Sequence, residues 1–217
     1  MVSFSSAIAE DEVVLQFLSF PKNAQPDNLE LRIGENQTHK IEAPSNRISQ
    51  DYKIPKMKNK MKKWTIGTSE HIDAKSAFKA QGEAPALDSN QQLNLILFGE
   101  DNGTEQVKII PIDTSASGFS GGRHLLVNHS PDLISGAIGG QEFSLQDGEH
   151  AILEPEAAPS PTSSRRATAG VSIHSGNEKQ PFFSSTWRIN PKARSIVFFY
   201  QDPETQHLRL HSIRDYL

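Results

Sequence analysis

Among the residue types in this sequence, histidine can take part in the most kinds of chemistry, because its neutral ring ligates metals and its pKa lies near neutrality. The chain contains eight histidines. His207 and His211 lie four positions apart in a strand-like segment, so both share one strand face with Arg209. The guanidinium between them repels a cation. We therefore expect a solvated outer face at these positions, and neither a metal site nor a cofactor.

Nucleophilic catalysis needs a serine on a sharp turn, with a histidine and a carboxylate in reach. Residues 118–122 read G-F-S-G-G and place glycines around Ser120. The Gly-x-Ser-x-Gly spacing and a strand-to-helix context are both missing, so a flexible connection between two halves explains the segment better. A glycine-rich phosphate loop is also missing. These patterns predict a protein that is not an enzyme.

The densest charge cluster is a lysine-rich run that ends in a tryptophan. Such lysines attract the phosphate groups of lipids, lipopolysaccharide or nucleic acid, and a tryptophan ring suits an interface. In an acidic chain, the same run more commonly serves solubility or prevents strand edges from pairing. The candidate residues for contact with a ligand or a surface are Lys56, Lys58, Lys60, Lys62, Lys63 and Trp64.

Trp187 has two interpretations. A β-sandwich commonly buries one large aromatic side chain in its core, whereas an exposed ring could stack on a sugar. Carbohydrate hydrolysis needs two carboxylates that flank one groove, and Glu154 and Glu156 are the candidates in this sequence. We favour the core position for Trp187, and we retain carbohydrate binding or processing, through Trp64 or Trp187, as the alternative.

Composition excludes several classes of protein. The chain has 217 residues, no cysteine and a net charge of −4. Disulfides, thiolate metal sites and cysteine nucleophiles are therefore excluded, and no global field attracts nucleic acid. No segment approaches the roughly 20 apolar residues that a membrane-spanning helix needs. We expect neither a nucleic-acid partner nor a membrane span.

The first residues resemble the end of an export signal. Residues 2–9 read V-S-F-S-S-A-I-A, with Ala7 and Ala9 placed like the last positions of a signal-peptidase site. The basic region of a signal is missing. The alternatives are a signal that begins upstream of the assigned start and an ordinary frayed terminus. The first alternative predicts a periplasmic or extracellular protein.

Apolar residues occur in short alternating or continuous runs between turn residues, which is the pattern of β-strands. The only helix candidate is 73–81, which has weak amphipathicity. The sequence therefore predicts an all-β protein with antiparallel sheets. The predicted strands are 13–20, 29–33, 63–67, 93–98, 107–112, 123–128, 133–138, 142–145, 150–153, 170–174, 185–189, 195–200 and 208–213.

An internal comparison indicates a duplication. A shift of 101 positions matches L-I-L-F at 95–98 to I-V-F-F at 196–199 and 107–109 to 208–210, while a shift of 108 matches 17–19 to 125–127. The lysine-rich run at 54–63 then corresponds to a proline-, serine- and alanine-rich segment at 154–169, as two solvated loops between the same pair of strands.

Two related antiparallel β-sandwich halves follow from the duplication. We expect an N-terminal tail at 1–10, a first sandwich at 11–114, a linker at 115–122 and a second sandwich at 123–217.

Three segments of the second half carry a resemblance to known proteins. They read L-L-V-N-H-S-P-D-L at 125–133, G-A-I-G-G-Q-E-F-S-L-Q-D-G-E-H-A-I-L at 136–153, and W-R-I-N-P-K-A-R-S-I-V-F-F-Y from 187. Over 123–216 the chain resembles exported bacterial β-sandwich proteins of an immunoglobulin-like style. The resemblance implies a polar, asparagine-containing corner after the first strand and a turn at 145–148. It brings no catalytic motif.

These observations lead to one favoured function and two alternatives. We expect a non-enzymatic, exported or envelope-associated module that binds or scaffolds an envelope protein, a glycan or an anionic lipid. The first alternative is a carbohydrate-binding or carbohydrate-processing protein. The second is a metal-binding protein that uses histidine.

Overall fold

The structure is a computed structural model that describes residues 12–21, 28–33, 37–56, 63–72, 75–101, 104–115, 117–156, 158–160, 163–176 and 180–217. Within these ranges the regular elements are β-strands, which confirms the predicted all-β class. The predicted tail at 1–10 lies outside the described residues. Across the described ranges, no helix is long and apolar enough to span a membrane. The chain divides into two compact units, Met1–Gly118 and Phe119–Leu217.

The first unit is built from two four-stranded sheets. Their strand orders are β4-β1-β7-β8 and β3-β2-β5-β6. The pairing of β1 with β7 is parallel, whereas the other pairings are antiparallel. The strands are β1 (Glu12–Phe20), β2 (Leu29–Ile33), β3 (Gln37–Lys40), β4 (Tyr52–Pro55), β5 (Lys63–Ile72), β6 (Lys75–Pro85), β7 (Gln91–Asp101) and β8 (Thr104–Asp113).

The second unit repeats this arrangement. One sheet has the order β12-β9-β16-β17, again with a parallel pairing, between β9 and β16. In the other sheet β11, β10, β14 and β15 follow one another, and β13 also pairs with β14. The strands are β9 (His124–His129), β10 (Ile134–Ile138), β11 (Gln141–Leu145), β12 (His150–Leu153), β13 (Ala158–Ser160), β14 (Ser163–Ser175), β15 (Phe183–Ile189), β16 (Ala193–Gln201) and β17 (Leu208–Tyr216).

Strand alternation explains the core of each unit. Side chains at every second position of a strand point between the two sheets. β7 and β16 bury apolar residues on their other face as well, but the inward-facing apolar residues form the core of the unit. In the first unit they include Val13, Leu15, Phe17, Leu31, Trp64, Ile66, Ile96 and Phe98. In the second unit they include Leu126, Ile134, Val171, Ile173, Val197 and Phe199. Each unit is therefore a β-sandwich with its own core.

Strand pairing also gives the correspondence between the units, and it corrects one predicted shift. Leu95 pairs with Leu18, and its counterpart Ile196 pairs with Leu125. Leu18 therefore corresponds to Leu125, whereas the predicted shift of 108 set Phe17 there. The predicted match was one residue out of register, because it compared hydrophobic character without regard to the face of the sheet.

The closing hairpins match less closely than the shift of 101 predicted. Six residues separate Gln201 from its partner Leu208, whereas only four residues separate the corresponding Glu100 from its partner Glu105, and Asp101 and Thr104 between them still pair. The second strand of the hairpin is therefore displaced by two residues. A displacement of two keeps each side chain on its own face.

The weak helix candidate at 73–81 is a strand over its described residues, because β6 begins at Lys75 and pairs with β5. A short helix with weak amphipathicity is marginal in water. The strand instead gains a ladder of backbone hydrogen bonds to β5, with one shift of register between Ile66 and Gly67, and local sequence cannot reveal this pairing.

The lysine-rich run and the proline-rich segment occupy equivalent places, since they connect β4 to β5 and β12 to β14. The second segment is not simply a solvated loop, however. It contains β13 and the beginning of β14, which pair with each other.

The G-F-S-G-G segment is not the flexible connection that its composition predicted. Phe119 is fully buried in the second unit, and its carbonyl accepts a hydrogen bond of 2.9 Å from Arg194. A Cβ atom on Gly121 would come within 2.0 Å of the Pro191 carbonyl oxygen. Glycine is therefore required by close packing at this position.

Asn128 organises the corner that follows β9. Its side-chain amide donates to the carbonyls of Asp132 and Leu145, and its side-chain oxygen accepts from the backbone N–H of Ser130 and from its hydroxyl. The residue is fully buried. Both sides of its amide are therefore satisfied without water, at the corner that the resemblance implied.

This network predicts a large effect of a nearly isosteric change. Asn128→Asp replaces the donor with an oxygen that faces two carbonyl oxygens, so we expect a loss of about 3 kcal/mol in the free energy of unfolding. Urea denaturation measures this loss.

Asn190→Asp is the matched control, because Asn190 uses its side-chain oxygen to accept from the backbone N–H of Lys192. A carboxylate can keep that bond. Equal stability of the two variants would contradict the prediction.

Candidate ligand cleft in the second unit

Half of the lysine-rich run lies outside the described residues, namely 57–62 with Lys58, Lys60 and Lys62. Lys56 is exposed and borders a cavity of about 110 Å³. Contact of these lysines with a ligand or a surface stays a prediction.

At the end of the run, alternation along β5 separates two neighbours. Lys63 points outward and forms an exposed ion pair with Glu83 at 2.9 Å, which contributes little to stability. Trp64 points into the core, and only 1% of its surface is exposed. A ring enclosed in this way cannot stack on a sugar or lie on a membrane surface. The surface contact predicted for Trp64 is therefore wrong.

The other tryptophan borders a cleft that the sequence did not reveal. Trp187 is half-buried on β15 and packs against the core of the second unit. The centre of its ring lies 5.4 Å from that of His124 and 6.1 Å from that of Phe183. A cleft of about 440 Å³ is lined by His124, Thr186, Trp187, Arg188, Ser195, Leu210, Ser212 and Arg214.

Two edge strands form the walls of this cleft. β17 ends one sheet and β15 ends the other, so the cleft lies on the side where the sandwich has no further strand. The parallel pairing sets His124 beside Ser195, and the next pairing sets Arg214 beside Ser195. Arg214 Nη2 donates a hydrogen bond of 3.1 Å to the Arg188 carbonyl. This bond ties the two edges together.

His124 lies at the floor of the cleft and is 3% exposed. Its Nδ1 has no hydrogen-bond partner in the described part of the chain. Burial, with the positive charge of Arg214, lowers the pKa of His124 to about 4. The ring is therefore neutral at pH 7. A buried polar atom without a partner costs about 1–3 kcal/mol, and the first unit holds such atoms as well, at Arg32, Trp64 and Gln81.

The cleft is rich in hydrogen-bond donors and positive charge. Arg188 and Arg214 are exposed, and the lining also includes the hydroxyl-bearing residues Thr186, Ser195 and Ser212. None of the described residues that line it carries a carboxylate. The site is therefore suited to a ligand with more acceptors than donors.

The same place in the first unit holds no comparable chemistry. By strand register, Phe17, Asn94, Ile109 and Pro111 occupy the positions of His124, Ser195, Ser212 and Arg214. Phe17 is fully buried. Gly82 on β6 lies close enough to Ile109 that a Cβ atom would be 3.0 Å from its side chain. Apolar packing thus fills in one unit the space that is an open, charged cleft in the other.

The other candidate residues lie elsewhere. Glu154 is exposed and pairs with Arg123 at 2.8 Å, and neither it nor Glu156 lines the Trp187 cleft. His211 and Arg209 share the outer face of β17 as predicted, while Leu210 faces the core. Within the described ranges, no group of three histidine, cysteine or acidic side chains converges.

One sequence signal points to the cleft in retrospect. The inward positions of β17 carry Leu208, Leu210, Ser212 and Arg214 in order. Apolar residues give way to a hydroxyl and a charge on a face that should be buried. Such a break in alternation marks the end of the core or a functional opening.

The sequence was compared with protein-family models and with curated proteins, and neither comparison gave a match.

The lowered pKa of His124 predicts a pH dependence of stability. Between pH 6.5 and about 4 the unfolded chain binds a proton at this residue that the folded chain does not. The free energy of unfolding therefore falls as the pH decreases through this window, by about 3 kcal/mol in total. Urea titrations at pH 7 and pH 4 measure the change.

Carboxylates also make stability depend on pH in this range. The contribution of His124 is therefore obtained as the difference between the pH profiles of the wild type and of a variant without this histidine. His124→Phe introduces the residue of the first unit and should lose this part of the pH dependence, whereas exposed His207→Gln should keep it. An identical pH profile for wild type and His124→Phe would show that the ring does not titrate as described.

Proposed function

We propose that this protein is a non-enzymatic, exported binding module whose ligand occupies the cleft of the second unit. The observation that carries the proposal is the asymmetry of the duplication. Two units share one topology, yet among the described residues the corner of the first unit is packed, whereas that of the second has a cleft with arginines, hydroxyl-bearing residues, a neutral histidine and a half-buried tryptophan. Apolar filling is the more stable choice, so an open, polar corner in one copy indicates a use.

The dimensions of the cleft support a small ligand or one end of a larger one. Its volume of about 440 Å³ is within the usual range for small-molecule sites. Trp187 is held between His124 and Phe183, which reduces the conformational freedom lost on binding.

The chemistry of the cleft favours binding over catalysis. His124 is the one histidine that lines it, and a pKa of about 4 makes this ring a weak general base. Its unpartnered Nδ1 makes no hydrogen bond to a described serine. A pair of carboxylates for glycoside hydrolysis is not assembled among the described lining residues.

The proposal includes a location: we propose that the protein is bacterial, exported and associated with the cell envelope. It is supported by the small residues at positions 7 and 9 and by the resemblance of residues 123–216 to exported sandwich proteins. An envelope protein, a glycan and an anionic lipid remain the partner classes. Carbohydrate binding gains support from Trp187, whose ring is partly accessible beside polar groups.

Tryptophan fluorescence of the full chain tests the proposal, because Trp187 borders the cleft whereas Trp64 is buried in the first unit. We expect at least one member of a panel of glycans, peptidoglycan fragments and anionic lipid headgroups to change the emission. Trp187→Leu should abolish the response and weaken binding at least about tenfold.

Trp64→Phe is the matched control, and it should retain the response. The proposal would be overturned if no member of the panel bound, or if a bound ligand were unaffected by Trp187→Leu.

A further inference from the structure

We propose that the ligand of this cleft is an acidic saccharide, whose carboxylate is held by Arg188 and Arg214 and whose ring packs on Trp187. This inference rests on the proposed function and adds the chemical class of the ligand. It combines three features of the cleft: the balance of donors and acceptors, the geometry of the guanidinium groups, and the flat apolar wall between them.

The balance of hydrogen-bonding groups requires a ligand that is rich in acceptors. Each arginine offers five N–H donors and no acceptor, and two arginines line the cleft. A neutral sugar presents as many donors as acceptors, and proteins commonly bind its hydroxyls through carboxylates. None of the described lining residues supplies a carboxylate. An anionic group on the ligand would correct this imbalance.

The guanidinium group of Arg214 is suited to a planar anion. Arg214 uses Nη2 to hold the Arg188 carbonyl at 3.1 Å, which restrains its side chain and leaves other N–H groups of the same fork for a ligand. Parallel N–H groups of a guanidinium match the two oxygens of a carboxylate. Arg188, next to Trp187 on β15, also lines the cleft, so a second guanidinium is available to the same ligand.

Trp187 supplies the surface for the rest of the ligand. Its ring is fixed against His124 and Phe183, at interplanar angles of 39° and 53°. A fixed aromatic ring gives contact area at little entropic cost, and the C–H face of a pyranose packs on such a surface. Thr186 and Ser212 add hydroxyls, which both donate and accept and so match sugar hydroxyls.

A phosphate ligand fits these observations less well. Phosphate sites are typically built from consecutive backbone N–H groups, glycine-rich loops or lysines. The cleft is lined by two edge strands, and its described lining contains neither glycine nor lysine. The carboxylate of a uronic acid is therefore the anion that the arrangement favours.

Calorimetric titration of the full chain with trigalacturonate tests the inference, with the neutral galactose trisaccharide as the matched probe. We expect the acidic trisaccharide to bind and the neutral one to bind at least about tenfold more weakly. Arg188→Gln and Arg214→Gln should each weaken the acidic trisaccharide by about ten- to a hundredfold, since each removes charge-assisted hydrogen bonds.

Arg209→Gln is the control variant, because Arg209 lies on the same strand but faces outward and pairs with Asp202 at 3.6 Å. It should bind trigalacturonate like the wild type. Far-UV circular dichroism and the thermal midpoint of each variant establish that it is folded. Equal losses in Arg209→Gln and Arg214→Gln would show a general charge effect and overturn the inference.

A sulfated disaccharide and inorganic phosphate complete the set of probes. If either bound with dependence on Arg188 and Arg214 while trigalacturonate did not, the carboxylate assignment would be wrong although the cleft would still be a binding site. Equal affinity for the acidic and the neutral trisaccharide would also show that the carboxylate assignment is wrong. If no probe in this set or in the wider panel changed the emission of Trp187, the proposed function would be contradicted as well.

Discussion

The parallel pairing of β9 with β16 is the constraint on which the cleft depends. It sets His124 beside Ser195 on the inward face, and the antiparallel partner β17 then brings Arg214 to the same place. A slip of one residue would turn these side chains to the opposite face. The register is secured by β16, where Val197 and Phe198 are both fully buried although they point to opposite faces. The geometry of the cleft is thus a consequence of core packing.

The duplication allows the same corner of the sandwich to be compared in the two units. In the first unit, Phe17 and Ile109 fill the corresponding corner with apolar side chains, which is the stabilising solution. In the second unit the corner contains a buried histidine atom without a partner and a tryptophan that is only partly covered. The two copies thus differ at this corner, which is packed in the first unit and open in the second.

Much of the fold was predictable, because alternation is a local property. All thirteen predicted strands correspond to observed ones, and the four that were missed are β3, β4, β6 and β13. The missed strands are short or polar, and neighbours in the sheet define them more than their own side chains do. Gln37–Lys40 has three exposed residues of four and pairs with β2 alone. β6 has the composition of a weak helix, and its pairing with β5 overrides that preference.

By itself, the sequence determined the all-β class, the duplication and the inward positions of most strands, since these depend on the order of polar and apolar residues along the chain. Tertiary structure alone decided which side chains meet. Residues 124, 187, 188 and 214 arrive on three different strands, and no spacing in the sequence relates them. It also decided how deeply each tryptophan is buried, since the enclosure of Trp64 and the partial exposure of Trp187 depend on which side chains of the opposite sheet cover each ring. The neutrality of His124 has the same origin, because burial and the charge of Arg214 act through space.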